Sequence, residues 1–576
     1  MVGVPNIMTS TVVTVFAPLL LAALHLSSKK DIDATGNNDK HVVAQVVFVS
    51  CNKHNRDQNY WNTMATVVEQ RNESSRVGPM GSCAPPSRVD ALIWLGDAVY
   101  ADNPIPLIPP AELDLDAARD KFMQQANAAQ YVAFRHTCVG KRSTLANASD
   151  DGKLEGEQHR IVGVWDDHDM GKNDGGGEFA QKDAMQQFYL DFLGVPRNDS
   201  RRKQKGVYHF EAVPFSSLTS RESTDPATAA ALRFMEGVYD NAFCIVLLDS
   251  RYFRDPPNAT RSGNMLGDPQ FEWLERLLQN DLVGRNPETN REKCALTVVG
   301  NGVQIILDEK ITENWAAFPN SRNRLFSLLR RYSADRVILM SGDIHMGEIG
   351  MDTSGSAMEA LGYPIIEATS SGLTHSTSVI IPYTTLLTSL FPSKRRVGAY
   401  VERNFGILKL TVKPGANFTL QASATPEEKQ SYVEKNVNAS IVIHSIAEEG
   451  KVVLRLSVPL DALTLKMGCQ FYQARANEAG EVAYSDTATQ KVCNETFQEA
   501  SGAHNGTSPV RHYPITTPLP FTTYTMLTLQ ERIWPNYSLL GVFFRFVLVV
   551  ALVVIAGVIS VIVICCRACR RRQKES

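Results

Sequence analysis

The chain lacks the features that mark several large classes of protein. Its 576 residues carry a formal net charge of only −3, and no long basic or acidic block occurs before the last few residues. Nucleic acid is therefore not an expected partner, because binding a polyanion requires a dense positive surface. No internal repeat of fixed period is present, which argues against a solenoid. With 44% hydrophobic and 21% charged residues, the composition is that of a globular protein with a substantial core.

The first apolar segment, residues 8–26, has no Lys or Arg in front of it. It ends in small residues just before Lys29 and Lys30, which is typical of a signal peptide, predicted over residues 1–28. Because a signal peptide usually begins with positive charge, an uncleaved anchor is the alternative.

A second apolar segment, residues 546–566, carries no charge and has the length of one bilayer span, about 20 residues. The basic residues that follow predict a short cytoplasmic tail, 567–576, by the positive-inside rule. The sequence thus predicts a single-pass type I membrane protein of the plasma membrane or an endomembrane, with its large N-terminal part extracellular or lumenal. Nine N-glycosylation sequons lie between the two apolar segments, in agreement with this topology.

The ten cysteines fall into two groups. Cys565, Cys566 and Cys569 lie at the predicted cytoplasmic edge of the membrane, as palmitoylation sites or as ordinary thiols. The other seven lie on the predicted oxidising side, and an odd number there implies one unpaired cysteine. Cys469 and Cys493 are the predicted disulfide, within a membrane-proximal stalk assigned to residues 464–538.

Six apolar, β-branched runs predict buried strands, and helical patterns lie between some of them, for example over residues 116–137 and 181–194. This alternation favours an α/β core with much parallel pairing. From about residue 400 to 463 the pattern changes to antiparallel strands that complete the same domain, 42–463. These strands are predicted over residues 405–412, 417–424, 439–446 and 451–458. The six runs are VVAQVVFVS, ALIWLGD, IVGVWDD, AFCIVLLD, ALTVVG and RVILMSGD.

Polar, reactive residues follow these runs, at the edge where open α/β sheets bind ligands. In GDAVY, the Asp97 carboxylate can bridge two cations and the Tyr100 phenolate can reach one of them, although Gly-Asp is also common in plain turns. In SGDIHMGE, Asp343 and His345 lie on one face of an extended segment, unless their spacing is incidental. Cys51 follows the first run, where a buried or disulfide-bonded cysteine is the alternative.

WDDHDMGKND is the densest polar segment. The carboxylate of Asp167 suits a hard metal ion, and His168 can contact phosphate oxygen or protonate a leaving group. An acidic, solvated loop is the alternative, but adjacent carboxylates need a cation or a proton to be held together.

The ordered set SC, GDAVYAD, VWDDHDxGxND, LLDSRYFRD, ENWAAFPNSRNRL, SGDIHxGE and EATSSGLTHS resembles the PhoD-type family of alkaline phosphatases and phosphodiesterases. The resemblance covers most of residues 42–463. It implies a four-layer αββα metallophosphatase sandwich that binds one ferric iron together with calcium ions, although other divalent metals could substitute. Among the departures from the family pattern, Asp169 stands where glutamate is commoner.

The resemblance also implies roles for individual residues. It implies Cys51, Asp97, Tyr100 and His345 as iron ligands, and Asp97, Asp167 and Asp343 as ligands of the neighbouring hard cation. His168 corresponds to the histidine that contacts the phosphate and assists the leaving group. Asn173 and Arg251 are expected to bind substrate or to support the site, and Asn301 and Gln304 lie where related enzymes place another ligand.

The predicted function is metal-dependent hydrolysis of phosphate monoesters or diesters by a two-metal mechanism that needs no protein nucleophile. The substrate would be a small-molecule, nucleotide or lipid phosphoester outside the cytosol. Two alternatives remain: a catalytically silent binding or recognition protein of the same fold, and an ectodomain in which calcium serves folding only.

Overall fold

All six predicted buried strands form in the computed structural model of the protein. The structure describes residues 41–69, 82–83, 89–102, 112–142, 158–219, 225–258, 260–308, 313–379, 381–418, 424–466, 475–476, 482–483, 513, 529, 533, 542 and 545–559. The predicted signal peptide, the cysteines Cys469 and Cys493, most of the predicted stalk, residues 560–566 and the basic tail lie outside these ranges. Within them, no helix combines the length and apolar character that crossing a bilayer requires.

The strands, numbered in chain order, are β1 Val42–Val49, β2 Ala91–Leu95, β3 Ile161–Val164, β4 His209–Pro214, β5 Tyr239–Leu248, β6 Glu292–Asn301, β7 Val337–Ser341, β8 Gly347–Asp352, β9 Ile365–Ser370, β10 Arg396–Tyr400, β11 Asn404–Val412, β12 Val437–Ser445, β13 Val452–Pro459, β14 Arg475–Ala476 and β15 Val482–Ala483. The α-helices are Tyr60–Glu69, Leu115–Ala126, Ala129–Cys138, Asp167–Met170, Lys182–Phe192, Ser216–Thr219, Pro226–Glu236, Gly267–Leu277, Pro319–Arg331, Gly355–Ala360, Thr384–Leu390, Pro426–Asn436 and residues 545–559.

Thirteen of the strands form two mixed sheets, and β14 pairs with β15. The protein is therefore of the mixed α/β class. The first sheet has the order β13-β12-β11-β1-β2-β3, and the second has the order β10-β8-β9-β7-β6-β5-β4. The predicted parallel pairing is present in both sheets, as β1–β2–β3 and as β5–β6–β7–β9. The predicted antiparallel strands β11–β13 extend the first sheet beyond β1.

Side chains of the two sheets meet at the core. A Cβ on Gly300 of β6 would lie 2.8 Å from Leu95 of β2, and one on Gly347 of β8 would lie 2.9 Å from Ile443 of β12. The sheets therefore pack face to face. Every residue of β1 and β2 is buried, which explains why both strands, apart from Gln45, are apolar rather than alternating.

Two predicted elements differ from the structure. The helical pattern over residues 116–137 is two helices, because the chain leaves the first helix at Asn127, whose N–H donates to the Met123 carbonyl. The strand predicted over residues 417–424 does not begin at Asn417 or Phe418, and residues 419–423 lie outside the described part. Strands β4, β8, β9, β10, β14 and β15 were not predicted.

The predicted odd cysteine is Cys51, which is buried and unpaired. Two disulfides that the sequence did not specify join Cys83 to Cys138 and Cys244 to Cys294. The second one crosslinks the neighbouring strands β5 and β6.

Glu211 links the edge strands of the two sheets. It lies on β4 and accepts hydrogen bonds from Arg142 at 2.9 Å and from Arg160, just before β3, at 3.1 Å. Burial would raise the pKa of Glu211, but His209 and Arg142 outweigh it and lower the pKa to about 2. This carboxylate therefore stabilises the fold while it is charged.

We expect Glu211→Gln to destabilise the protein near neutral pH and to have less effect in acid. A carboxyl group whose pKa falls on folding contributes stability above its unfolded pKa, and this contribution is lost as the pH falls through the folded pKa of about 2. The expected loss at pH 7 is on the order of 2 kcal/mol, measured by urea unfolding of both proteins. A difference in unfolding free energy that stays constant between pH 7 and pH 3 would contradict this role.

Candidate metal centre

The predicted metal-binding residues lie where the carboxyl ends of both sheets meet. Cys51 and Asp97 follow β1 and β2, and Asp343 and His345 follow β7. The Asn52 N–H donates to the Asp97 carbonyl at 2.7 Å, which ties the first two strand ends together. The fold therefore gathers at one place residues that are distant in the sequence.

A glycine makes this convergence sterically possible. A Cβ on Gly342 would lie 2.2 Å from the Leu95 carbonyl oxygen and 2.3 Å from Ser50 Oγ. No other residue could occupy this position without moving the strand ends apart. Gly342 thus lets the end of β7 in the second sheet approach the ends of β1 and β2 in the first.

Four of the six predicted ligands have left-handed backbone conformations. The φ angles are 61° at Cys51, 51° at Asp97, 71° at Asp343 and 55° at His345. Positive φ is costly for residues other than glycine, and such residues cluster at functional sites, where the surrounding structure holds them. The shared strain supports a functional role for this edge.

The first donor group combines sulfur, oxygen and nitrogen. Cys51 Sγ lies 3.5 Å from Asp97 Oδ2, and the Tyr100 hydroxyl lies 3.3 Å from the same oxygen and 3.0 Å from His345 Nε2. The ligand atoms of Cys51, Asp97 and His345 all lie within 4.8 Å of one another. A thiolate, a phenolate and an imidazole together suit a transition-metal ion.

Two further groups extend the centre. Within the described residues, Asp97 also groups with Asp167 and His168, and Asp167 groups with Asp174 and Glu313. Asp97 belongs to the first two groups, and a carboxylate shared in this way can bridge two ions. Asp343 lies at the same edge but belongs to none of the three groups. Its charge nevertheless interacts with those of Asp166 and Asp167.

Burial makes this edge unfavourable for free carboxylates. It raises the pKa of Asp97 well above its usual value, and the charges of Asp167 and Asp166 add to this effect. It raises the pKa of Asp343 in the same way. Burial would also raise the pKa of Asp167, but the positive charges of His168 and Arg251 outweigh burial and lower the pKa to about 2. Buried carboxylates with raised pKa values require protons or cations.

His168 is held from two sides. Its Nδ1 lies 2.8 Å from Asp102 Oδ1, and its ring stacks on Tyr100 with 4.0 Å between ring centroids. Burial alone would lower the pKa of His168, but Asp167 and Asp102 outweigh it and raise the pKa well above its usual value. Nε2 is therefore the atom that can donate a proton or a hydrogen bond towards the metal centre.

The two residues predicted to bind or surround substrate differ in position. Asn173 lies half-buried in the loop after the short helix Asp167–Met170. Arg251 is fully buried, is bound to Asp166 through Nε, and pairs with Glu313 at 2.5 Å. These contacts favour a supporting role for Arg251, because they hold β5 against the end of β3.

The side chains of Asn301 and Gln304 both bind other residues of the protein. The oxygen of Asn301 accepts hydrogen bonds from Trp315 Nε1 at 3.0 Å and from the Val303 N–H at 2.9 Å. Gln304 Nε2 donates to Glu348 and Thr369. Both side chains therefore have structural partners.

Three residues within the recognised motifs were not selected from the sequence. Asp169 accepts hydrogen bonds from the backbone N–H groups of Ala98 at 3.2 Å and Val99 at 2.8 Å, and so holds the GDAVY loop. Asp102 orients His168. His375 lies 2.8 Å from the Tyr100 hydroxyl and 3.1 Å from His345 Nε2.

We expect Arg251→Met to destabilise the protein by roughly 3–5 kcal/mol, because it leaves the buried Asp166 without its ion-pair partner. The matched control is Arg324→Met, whose ion pair with Asp268 is exposed and should contribute less than about 1 kcal/mol. Urea unfolding of both variants measures the difference. Equal losses would show that Arg251 does not hold the two strand ends.

Comparison with known proteins gives one family match and similar solved structures. The family model described as PhoD-like phosphatase matches residues 46–415, which is more than half of the chain. The solved structure titled "Structure of PhoD" is similar at 12% identity and a TM-score of 0.40, covering 80% of this chain and 77% of that one. The structure titled "GAP50 the anchor in the inner membrane complex of Plasmodium" is similar at 10% identity and a TM-score of 0.32, covering 83% and 100%.

Comparison with curated proteins gives no match. The family match supports phosphoester hydrolysis as the general chemistry and dependence on metal ions, for which the buried acidic and histidine groups are suitable. The chain belongs to the PhoD-like phosphatase family.

Proposed function

We propose that the protein is a membrane-anchored enzyme that hydrolyses phosphate monoesters or diesters outside the cytosol with the help of bound metal ions. The observation that carries the proposal is the set of three overlapping donor groups at the carboxyl ends of both sheets, with Asp97 and Asp167 each shared by two groups. Overlapping groups of this kind suit a cluster of ions that share bridging carboxylates, which is the arrangement of two-metal hydrolases.

The donor types suggest which ions are bound. We assign ferric iron to Cys51, Asp97, Tyr100 and His345, because thiolate, phenolate and imidazole favour transition metals. We assign calcium to Asp97, Asp167 and Asp343, because carboxylate oxygens favour hard cations, although other divalent ions could also bind there. Burial, together with the nearby charges of His168 and Lys53, lowers the pKa of His345 to about 4, so its ring is neutral and has a free lone pair at physiological pH.

The side chains around the ions have separate tasks. When bound, the ions would supply a water nucleophile of lowered pKa and offset the negative charge that develops on the phosphate. His168, oriented by Asp102, would donate from Nε2 to the phosphate or to the leaving oxygen. Asn173 would contact the ester from its loop, and Arg251 would hold Asp166 at the end of β3.

The fold assigned to this function is the four-layer αββα sandwich. The contact between the inner faces of the two sheets supports it, as do the helices that bury apolar side chains, such as Met185 and Tyr189 of Lys182–Phe192. The domain would cover residues 42–463.

The proposed location rests on two kinds of observation. The disulfides Cys83–Cys138 and Cys244–Cys294 suit an oxidising compartment, as do the nine sequons. The helix over residues 545–559 exposes ten large apolar side chains, from 44% at Val550 to 66% at Val553, which suits contact with lipid better than with water. The signal peptide and the cytoplasmic tail complete the proposed type I topology.

We expect the full-length glycosylated protein, purified in detergent, to hydrolyse bis-p-nitrophenyl phosphate or p-nitrophenyl phosphate. Asp97→Asn should abolish this activity and lower the metal content, because it removes the shared carboxylate. His168→Asn should keep the metal content and lower kcat by about 10²–10⁴-fold, the usual contribution of general acid catalysis. Metal analysis and ester turnover on the same preparations measure both effects.

The matched control is Asp268→Asn, which makes the same change at an exposed residue and should alter neither quantity. A folded, metal-loaded wild-type protein that hydrolyses neither ester would contradict the proposed phosphoester activity in its general form. It would favour the binding-protein alternative. The preferred ester of an active protein would distinguish diesterase from monoesterase.

A further inference from the structure

His375 contacts two of the proposed iron ligands at once. Its Nε2 lies 2.8 Å from the Tyr100 hydroxyl and 3.1 Å from His345 Nε2, and the last two atoms are 3.0 Å apart. The residue follows β9, in the second sheet, and is half-buried at the edge that carries the other ligands. Three donor atoms, from three separate segments, therefore form a nearly equilateral triangle.

The orientation of the His375 ring is set by Thr374 and the segment after β1. The Thr374 hydroxyl accepts a hydrogen bond from the Lys53 N–H at 2.8 Å and directs its own proton to the Cys51 carbonyl at 3.4 Å. Its oxygen lies 3.1 Å from His375 Nδ1. When Nδ1 donates to this oxygen, Nε2 directs its lone pair into the triangle.

This arrangement is typical of a metal-binding histidine. Such residues nearly always donate their second ring N–H to a neighbouring group, which fixes the tautomer and the ring orientation. An ion about 2.1 Å from each of three ligands at right angles would separate those ligands by about 3.0 Å, as in this triangle. The single Tyr100 proton faces Asp97 as well as the two imidazoles.

We propose that His375 is a direct ligand of the ion bound by Cys51, Asp97, Tyr100 and His345. This inference rests on the proposed function, because it adds a ligand to the proposed iron site. The donor set then includes His375, which lies beside Tyr100 and His345 and outside the group that Cys51, Asp97 and His345 form. His375 thereby joins β9 to a centre built otherwise from β1, β2 and β7.

The test compares His375→Ala with the exposed control His136→Ala, both in the full-length protein. Tyrosinate bound to ferric iron absorbs visible light, and replacing an imidazole by water makes the iron a stronger acceptor. We therefore expect His375→Ala to shift this band to longer wavelength and to weaken iron binding by about tenfold or more. Added imidazole should restore the wild-type band, whereas His136→Ala should leave band and affinity unchanged.

His375→Gln provides a second variant that retains the bulk and polarity of the side chain, should the alanine variant fail to fold. Wild-type absorption and iron affinity in a folded His375→Ala or His375→Gln variant would overturn the inference and leave the proposed function intact. A wild-type protein that binds no transition metal would instead overturn the proposed iron site, and the inference with it.

Discussion

The site depends on the concentration of buried carboxylates where the two sheets meet. Asp97, Asp166, Asp167 and Asp343 crowd one edge, and burial raises the pKa of three of them. Arg251 compensates Asp166 and Glu313, and His168 compensates Asp167 in part. The remaining carboxylates require protons or cations at neutral pH, and bound metal ions would meet this requirement.

The fold brings these carboxylates together at one edge of the two sheets. Parallel strands in each sheet direct their carboxyl ends to one edge, and the face-to-face packing of the sheets brings both edges together. Gly342 permits the close approach, and the left-handed conformations of Cys51, Asp97, Asp343 and His345 turn their side chains into the junction. Metal binding would help to offset the cost of these conformations, since the ligands are held by an ion as well as by the backbone.

Much of this could be predicted from the sequence because the signals are local. The buried strands are continuous apolar runs, and reactive residues such as Asp97 and His345 directly follow them. The contributions of His375, Asp102 and Asp169 could not be predicted, because each acts on a partner in a different segment. The same limit applies to Arg251, whose partners Asp166 and Glu313 are brought to it only by packing between the sheets. The pairing of Cys83 with Cys138 likewise depends on the folded positions of two distant segments.

The central claim is that cations join the ends of the two sheets through shared carboxylates. Its most direct test is an anomalous difference map from crystals of the full-length protein, measured on both sides of the iron absorption edge. The account predicts an iron peak bonded to Cys51, Tyr100 and His345, and a second, non-iron ion that shares Asp97 with it. An active protein whose map shows no ion at Asp97 would contradict the account.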